Sequence, residues 1–126
     1  MNAEQFNFGF GHIGIFTDKK GDGPAVRDLF VNLFGFDVFD AGFGWNIDHN
    51  RIEVVDGPGA GTKGHFSILC DDIEGAMKYL ESKGVTFDES TMTYNKEGLL
   101  WKVFAREEVA GFAWHLALRG HDNCGY

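Results

Sequence analysis

Basic residues are scarce in this chain of 126 residues: 11 Lys+Arg stand against 19 Asp+Glu, a net charge of −8. A polyanionic partner needs a basic face to neutralise its phosphates, so no nucleic-acid partner is expected. A small anion is still admissible, because a local site can be positive on an acidic protein. No apolar run approaches the roughly 20 residues that span a bilayer, and no membrane partner is expected. The first ten residues, MNAEQFNFGF, lack a basic n-region and a continuous apolar h-region, so a cleaved secretory leader is not expected. Cysteine is limited to Cys70 and Cys124. Two thiols make no disulfide framework, which sets a cytoplasmic location as the expectation. Cys70 closes an apolar run and reads as a small core residue. Cys124 lies in the polar tail HDNCGY and reads as inert. Low-complexity segments are lacking too.

What is present is core material: 44% hydrophobic and 24% charged residues, with 13 Phe. That is the composition of a folded globular domain rather than a disordered chain. Residues Phe8 to Phe16 (FGFGHIGIF) alternate as a strand, with Ile13 and Ile15 on one face and His12 on the other. Pro24 suits the first turn of a helix. Val26, Leu29, Phe30, Leu33 and Phe34 then form one apolar helical stripe, closed by Gly35 as a C′ glycine. Short strands are expected at Phe36–Asp40, Gly44–Ile47 and Arg51–Val55. The run Gly57-Pro58-Gly59-Ala60-Gly61 reads as a linker.

Beyond the linker the pattern restarts. Gly64–Cys70 reads as a strand and Asp72 as a helix N-cap. Ile73, Ala76, Met77 and Leu80 form a second helical stripe, ended by Gly84. Strands are expected near Thr86–Phe87, Leu99–Phe104 and Gly111–Leu118. The order is βαβββ, linker, βαβββ, with modules at 1–58 and 59–126.

The two halves repeat in sequence as well as in pattern. Gly11-His12-Ile13-Gly14-Ile15-Phe16-Thr17-Asp18 aligns with Gly64-His65-Phe66-Ser67-Ile68-Leu69-Cys70-Asp71. Gly35-Phe36-Asp37-Val38-Phe39-Asp40 is echoed by Gly84-Val85-Thr86-Phe87-Asp88-Glu89. Arg51-Ile52-Glu53-Val54-Val55 matches Ala113-Trp114-His115-Leu116-Ala117. A repeated unit of this kind means a duplicated fold with a pseudo-twofold.

Each half sets one metal-type residue on its first strand and one on its last: His12 and Glu53, then His65 and His115. All four sit inside apolar alternation, so period-2 geometry puts them on the sheet face opposite the helices. A single strand histidine is most often hydrogen-bonded and half-buried. Four such residues at repeat-matched positions favour a shared site. Imidazole and carboxylate together suit Zn, Ni, Co, Mn or Fe as one divalent cofactor, with positions left open for a substrate.

These motifs, Gly-His12-Ile-Gly-Ile, Ile-Glu53-Val, Gly-His65-Phe-Ser-Ile and Gly-Phe-Ala-Trp-His115-Leu, resemble those of the vicinal oxygen chelate superfamily, also called the glyoxalase / bleomycin resistance / extradiol dioxygenase superfamily. The resemblance covers about residues 6 to 119. It implies an α+β fold of two βαβββ modules, a curled mixed sheet around a central cavity, and one divalent metal held by His12, Glu53, His65 and His115. It also implies a homodimer. More narrowly, the chain resembles a domain attached to 2-keto-3-deoxy-phosphogluconate-type aldolases, although no aldolase barrel is present. Glyoxalase I-like members carry Glu where this chain has His115, which argues against lactoylglutathione lyase activity. With Glu53 as the single carboxylate, a divalent cation keeps one positive charge, and the site should favour an anion.

The expected function is therefore a metal-dependent lyase, isomerase or epimerase acting on a small oxygenated anion such as a 2-oxo or 2-hydroxy acid, with Glu53 or a metal-bound hydroxide moving the proton. The alternatives are a non-catalytic small-molecule binding module and an Fe(II)-dependent dioxygenase. Arg51 and Arg119, by strand parity, are candidates to clamp a substrate carboxylate. Ser67 shares the face of His65, and Trp101, like Trp45, is a candidate pocket wall. His49 reads as solvated. His121 and Cys124 form a weak H-x-x-C metal signal.

Overall fold

The computed structural model describes residues 1–121; Cys124, and with it the H-x-x-C pair, lies outside the described residues. Strands form at Gly9–Phe16 (β1), Val38–Asp40 (β2), Gly44–Ile47 (β3), Ile52–Val55 (β4), Gly64–Cys70 (β5), Thr93–Tyr94 (β6), Leu100–Phe104 (β7) and Phe112–Leu118 (β8). The α-helices are Gly23–Asp28 (α1) and Ile73–Ser82 (α2). All eight strands join one open mixed sheet in the order β2-β3-β4-β1-β5-β8-β7-β6. The fold is α+β, as the sequence pattern implies.

That order reads the same from either edge, first strand next to last strand in each half. The parallel pair β1/β4 sets Gly14 opposite Glu53, and the parallel pair β5/β8 sets Ser67 opposite His115. The two halves join where β1 and β5 pair antiparallel, with Gly14 opposite His65. The residues that align in sequence therefore occupy equivalent places in the sheet.

The larger core lies between α2 and the second half of the sheet. Ile73 and Ala76 bury against Cys70, Leu100, Val103 and Leu116, closed at one end by Phe6. The Asp72 carboxylate accepts from the Gly75 N–H at 3.0 Å and caps α2, as its position predicts. Cys70 is fully buried, and desolvation pushes its thiol up to about 11.

Two expectations need correction. The apolar stripe of the first helix does not bury as a unit: Leu29, Leu33 and Phe34 are exposed. After Asp28 the helix widens into a π-helical stretch, Leu29–Leu33. One extra residue in a turn rotates every later side chain by about 100° and swings the stripe off the sheet. Gly35 nevertheless ends the helix in the left-handed region at φ 71°, as expected of a C′ glycine. In the second half, Phe87 makes only an isolated bridge to Ala105, and the edge strand is β6, at Thr93–Tyr94. The echo after Gly84 thus preserves a turn rather than a strand. Among the described residues no helix is long and apolar enough to cross a membrane.

Candidate metal centre

His12 stands on β1, Glu53 on β4, His65 on β5 and His115 on β8, the four central strands. One lateral row runs from Glu53 across Gly14 to His65. Gly14 has no side chain, and a Cβ there would sit 2.6 Å from His65 Nε2 and closer still to Cε1. The two functional side chains therefore lean toward each other over a bare backbone. The neighbouring row pairs Ser67 with His115.

His12 reaches the site through a break in register. Phe10 faces Ile68 and Ile13 faces Phe66, so Gly11 and His12 together stand opposite Ser67. Two residues against one make a β-bulge, which bends the strand and re-aims a side chain. Gly11 fits the bulge because a Cβ would lie 2.5 Å from Ser67 Oγ.

The result is a convergent set. His12 Nε2 lies 3.1 Å from His65 Nε2, 3.4 Å separate His12 Nε2 from Glu53 Oε2, and 3.4 Å separate His65 Nε2 from Glu53 Oε1. One nitrogen from each of His12, His65 and His115 lies within 4.8 Å of the others. Ligand atoms bound at roughly 2.1 Å stand about 3.0 Å apart at a right angle and about 3.4 Å apart at the tetrahedral angle. The three short separations match edges of such a shell, so these residues fit a divalent cation.

Burial supports the same reading. The three histidines are 3%, 5% and 2% exposed in chain order, while Glu53 keeps access to solvent. His115 is held well below the ordinary imidazole range, first by desolvation and then by the charges of His12, His65 and Lys102. Its Nδ1 faces the Leu116 carbonyl at 3.3 Å. A carbonyl only accepts, so Nδ1 carries the proton and Nε2 keeps the lone pair a metal needs. The Phe104 ring stands edge-on to His115 at 4.9 Å and to His65 at 5.9 Å, an apolar wall over the imidazoles.

Beside Glu53 opens a cavity of about 390 Å³, lined by Phe43, Asn46, Val55, Trp101, Lys102 and His121 as well as Glu53 itself. Its size is that of a small-molecule site. Trp101 is thus where a pocket wall was expected. Asn46 and Lys102 were not singled out from sequence. Asn46 is buried and pairs with Glu53 across β3/β4. Lys102 stands two residues before Phe104, which pairs with His115, and its ammonium lies 5.1 Å from the Trp101 ring centroid. Only the strands beside them mark these two residues, and that pairing is not written in the sequence.

Of the other sequence candidates, Arg51, Arg119 and His49 lie elsewhere, and Ser67 stands beside the histidines. Arg51 is exposed in the turn before β4, 3.8 Å from Asp48. Arg119 donates from Nε to Asp71 Oδ1 at 3.0 Å and from Nη2 to the Asn7 carbonyl. Ser67 is fully buried against Gly11 and takes, in its row, the place of Gly14. His49 is exposed, as expected, with its backbone N–H on Asp37.

No protein-family model and no curated protein matches the sequence. Solved structures do. A hypothetical protein from Bacillus halodurans C-125 aligns with a TM-score of 0.62 at 14% identity, over 90% of this chain and 95% of that one. A methylmalonyl-CoA epimerase in complex with methylmalonyl-CoA and NH4+ aligns with a TM-score of 0.58 at 14% identity, over 89% and 94%. The fold is glyoxalase-like. A glyoxalase/bleomycin resistance protein/dioxygenase superfamily member from Vibrio splendidus 12B01 also aligns, with a TM-score of 0.49 at 11% identity over 90% and 98%. The glyoxalase-like architecture covers nearly the whole of this chain, as the sequence motifs implied.

Proposed function

We propose that this chain is a metal-dependent lyase, isomerase or epimerase acting on a small oxygenated anion of the 2-oxo or 2-hydroxy acid type. The observation that carries the reading is the convergence of His12, His65 and His115, with Glu53 against His12 and His65. These residues would hold the metal, and a divalent cation bound there supplies Lewis-acid stabilisation of negative charge on a substrate oxygen. Glu53 is the one acid among them, and its carboxylate opens toward the cavity. It is placed to take a proton from a carbon next to a carbonyl and return it. Asn46 stands opposite it in the β3/β4 ladder.

Charge selects the ligand. One carboxylate against a divalent cation leaves a positive site, and Lys102 adds a second positive group to the cavity wall. A substrate carboxylate would lie toward Lys102, with its carbon body against Trp101 and Phe43. The buried imidazoles and Phe104 keep water from the far side. The epimerase that shares the fold belongs to this reaction class by name.

The test is metal analysis followed by E53Q. Stoichiometric Zn, Ni, Co or Mn with turnover of a 2-oxo or 2-hydroxy acid, abolished in E53Q with metal retained, is the expected result. Full turnover in E53Q would overturn the role of Glu53. A chain without stoichiometric metal would point to a binding module instead.

One observation keeps a second reading. Two histidines and one carboxylate, His12, His65 and Glu53, stand within 3.1–3.4 Å of one another. That set is the pattern of Fe(II) oxygenases. Iron in the purified chain with substrate-dependent oxygen uptake would select it.

A further inference from the structure

The cavity beside Glu53 carries a second proton-transfer group, His121, just past the end of β8. Two hydrogen bonds locate it. Its backbone N–H donates to the Leu118 carbonyl at 3.0 Å, and its Nδ1 faces the Arg119 carbonyl at 3.3 Å. A carbonyl only accepts, so Nδ1 carries a proton and Nε2 is the atom left to take or give one. Arg119 is itself tied to Asp71 and Asn7, which anchors that carbonyl. His121 shares its side of the cavity with Trp101 and Lys102 of β7, whereas Glu53 and Asn46 line it from β4 and β3. Four steps of the sheet order separate β4 from β7, roughly 19 Å if the sheet were flat. A space of about 390 Å³, about 9 Å across as a sphere, is lined from both because the sheet bends around it. Glu53 and His121 therefore look into one space from opposite limbs of the sheet.

We propose that His121 is a second acid–base residue of this site, acting on the face of the substrate carbon opposite Glu53, so that the reaction inverts that carbon. This rests on the reading of Glu53 as a base, and it narrows the reaction to epimerisation or racemisation next to a carbonyl. Glu53 alone returns a proton to the face it left and conserves configuration. With both groups, the Glu53 carboxylate takes the proton and the C–H electron pair passes into the enolate. The His121 imidazolium then gives its Nε2 proton to the other face, where the new C–H bond forms. Glu53 is left protonated and His121 neutral, the form that takes the opposite enantiomer. Glu53 keeps access to solvent and His121 is exposed, so exchange with water restores the starting charges. Each transfer needs its atom roughly 3–3.5 Å from the carbon, which sets the pair about 6–7 Å apart. The cavity is wide enough for that span.

The probe is 3-methyl-2-oxopentanoate, a 2-oxo acid whose stereocentre adjoins the ketone, each enantiomer being given to the Zn-loaded chain in heavy water. The wild type should racemise both, with deuterium at the stereocentre of the inverted molecules. H121Q should racemise about 10²–10⁴-fold more slowly, the usual worth of a general acid or base. It should still deuterate one enantiomer with retention, the one whose hydrogen faces Glu53. E53Q should deuterate the other. Apart from turnover, oxalate titrated into the Zn-loaded chain should shift the His121 ring resonance in the NMR spectrum. Deuteration with retention by the wild type would overturn the role of His121 and leave that of Glu53 standing. So would H121Q racemising at the wild-type rate, or a His121 resonance unmoved while oxalate binds. A wild type that deuterates neither enantiomer would remove the role of Glu53, and that of His121 with it.

Discussion

Gly14 and His65 share one space: the ring of His65 occupies the volume where a Cβ of Gly14 would be. Glu53 flanks the same glycine from the other side. G14A should therefore displace His65 and lower metal affinity while costing about 1–3 kcal/mol of stability, the range for overpacking. Metal titration and thermal unfolding of the variant check both parts.

Removing an imidazole should weaken metal binding by more than the roughly 10–100-fold typical of a group that only supports a ligand. H12A, H65A and H115A are all expected to do so. Competition with a chelator gives the affinities. A variant that binds as tightly as wild type would remove that residue from the ligand set.

Lys102 lines the cavity but is not one of the convergent ligand atoms. K102M should leave metal affinity unchanged and weaken binding of a small carboxylate by about 10–100-fold, the equivalent of one charged hydrogen bond of roughly 1.5–3 kcal/mol. Oxalate or pyruvate titrated into the metal-loaded chain, followed by tryptophan fluorescence, provides the measurement.

Asp56 ties the end of β4 to the start of α1. Its Oδ1 accepts from the N–H groups of Gly21 at 2.8 Å and Gly23 at 2.9 Å, and these bonds hold its carboxyl below the ordinary range. A depressed folded value means the unfolded chain takes up the proton first, so the stabilisation is full above about pH 4 and fades as pH falls further. D56N should lower the melting temperature at neutral pH and flatten its decline in acid. An acid profile identical to wild type would contradict this.

Cys70, buried and with its thiol pushed up to about 11, should stay unreactive toward an alkylating reagent at pH 8 until the chain unfolds. C124S isolates it for that measurement.

The sheet, and the approach of His12, His65 and His115 to one another with Glu53 beside the first two, were legible because a repeat constrains both halves at once. Strand parity alone could not foresee the bulge at Gly11–His12, since an extra residue shows only against the strand it faces. Parity also pointed to Arg51 and Arg119, yet a long side chain goes where its charge is met, and Asp48 and Asp71 stand nearer. The stripe of the first helix read as core because periodicity records that a face is apolar, not what covers it. Asn46 and Lys102 carry no motif of their own, and they matter through the strands beside them.

The site straddles the seam between β1 and β5, with His12 and Glu53 from one side and His65 and His115 from the other. The dissimilarity of the two contributions has an arithmetic result. Two copies of the leading half would offer a pair of acids and cancel a dication, whereas two copies of the trailing half would offer none and leave its full charge. Only the mixed pairing would leave a bound dication a single surplus positive charge, so exchanging halves between related chains would reset the electrostatic appetite of the cavity without touching its outer walls.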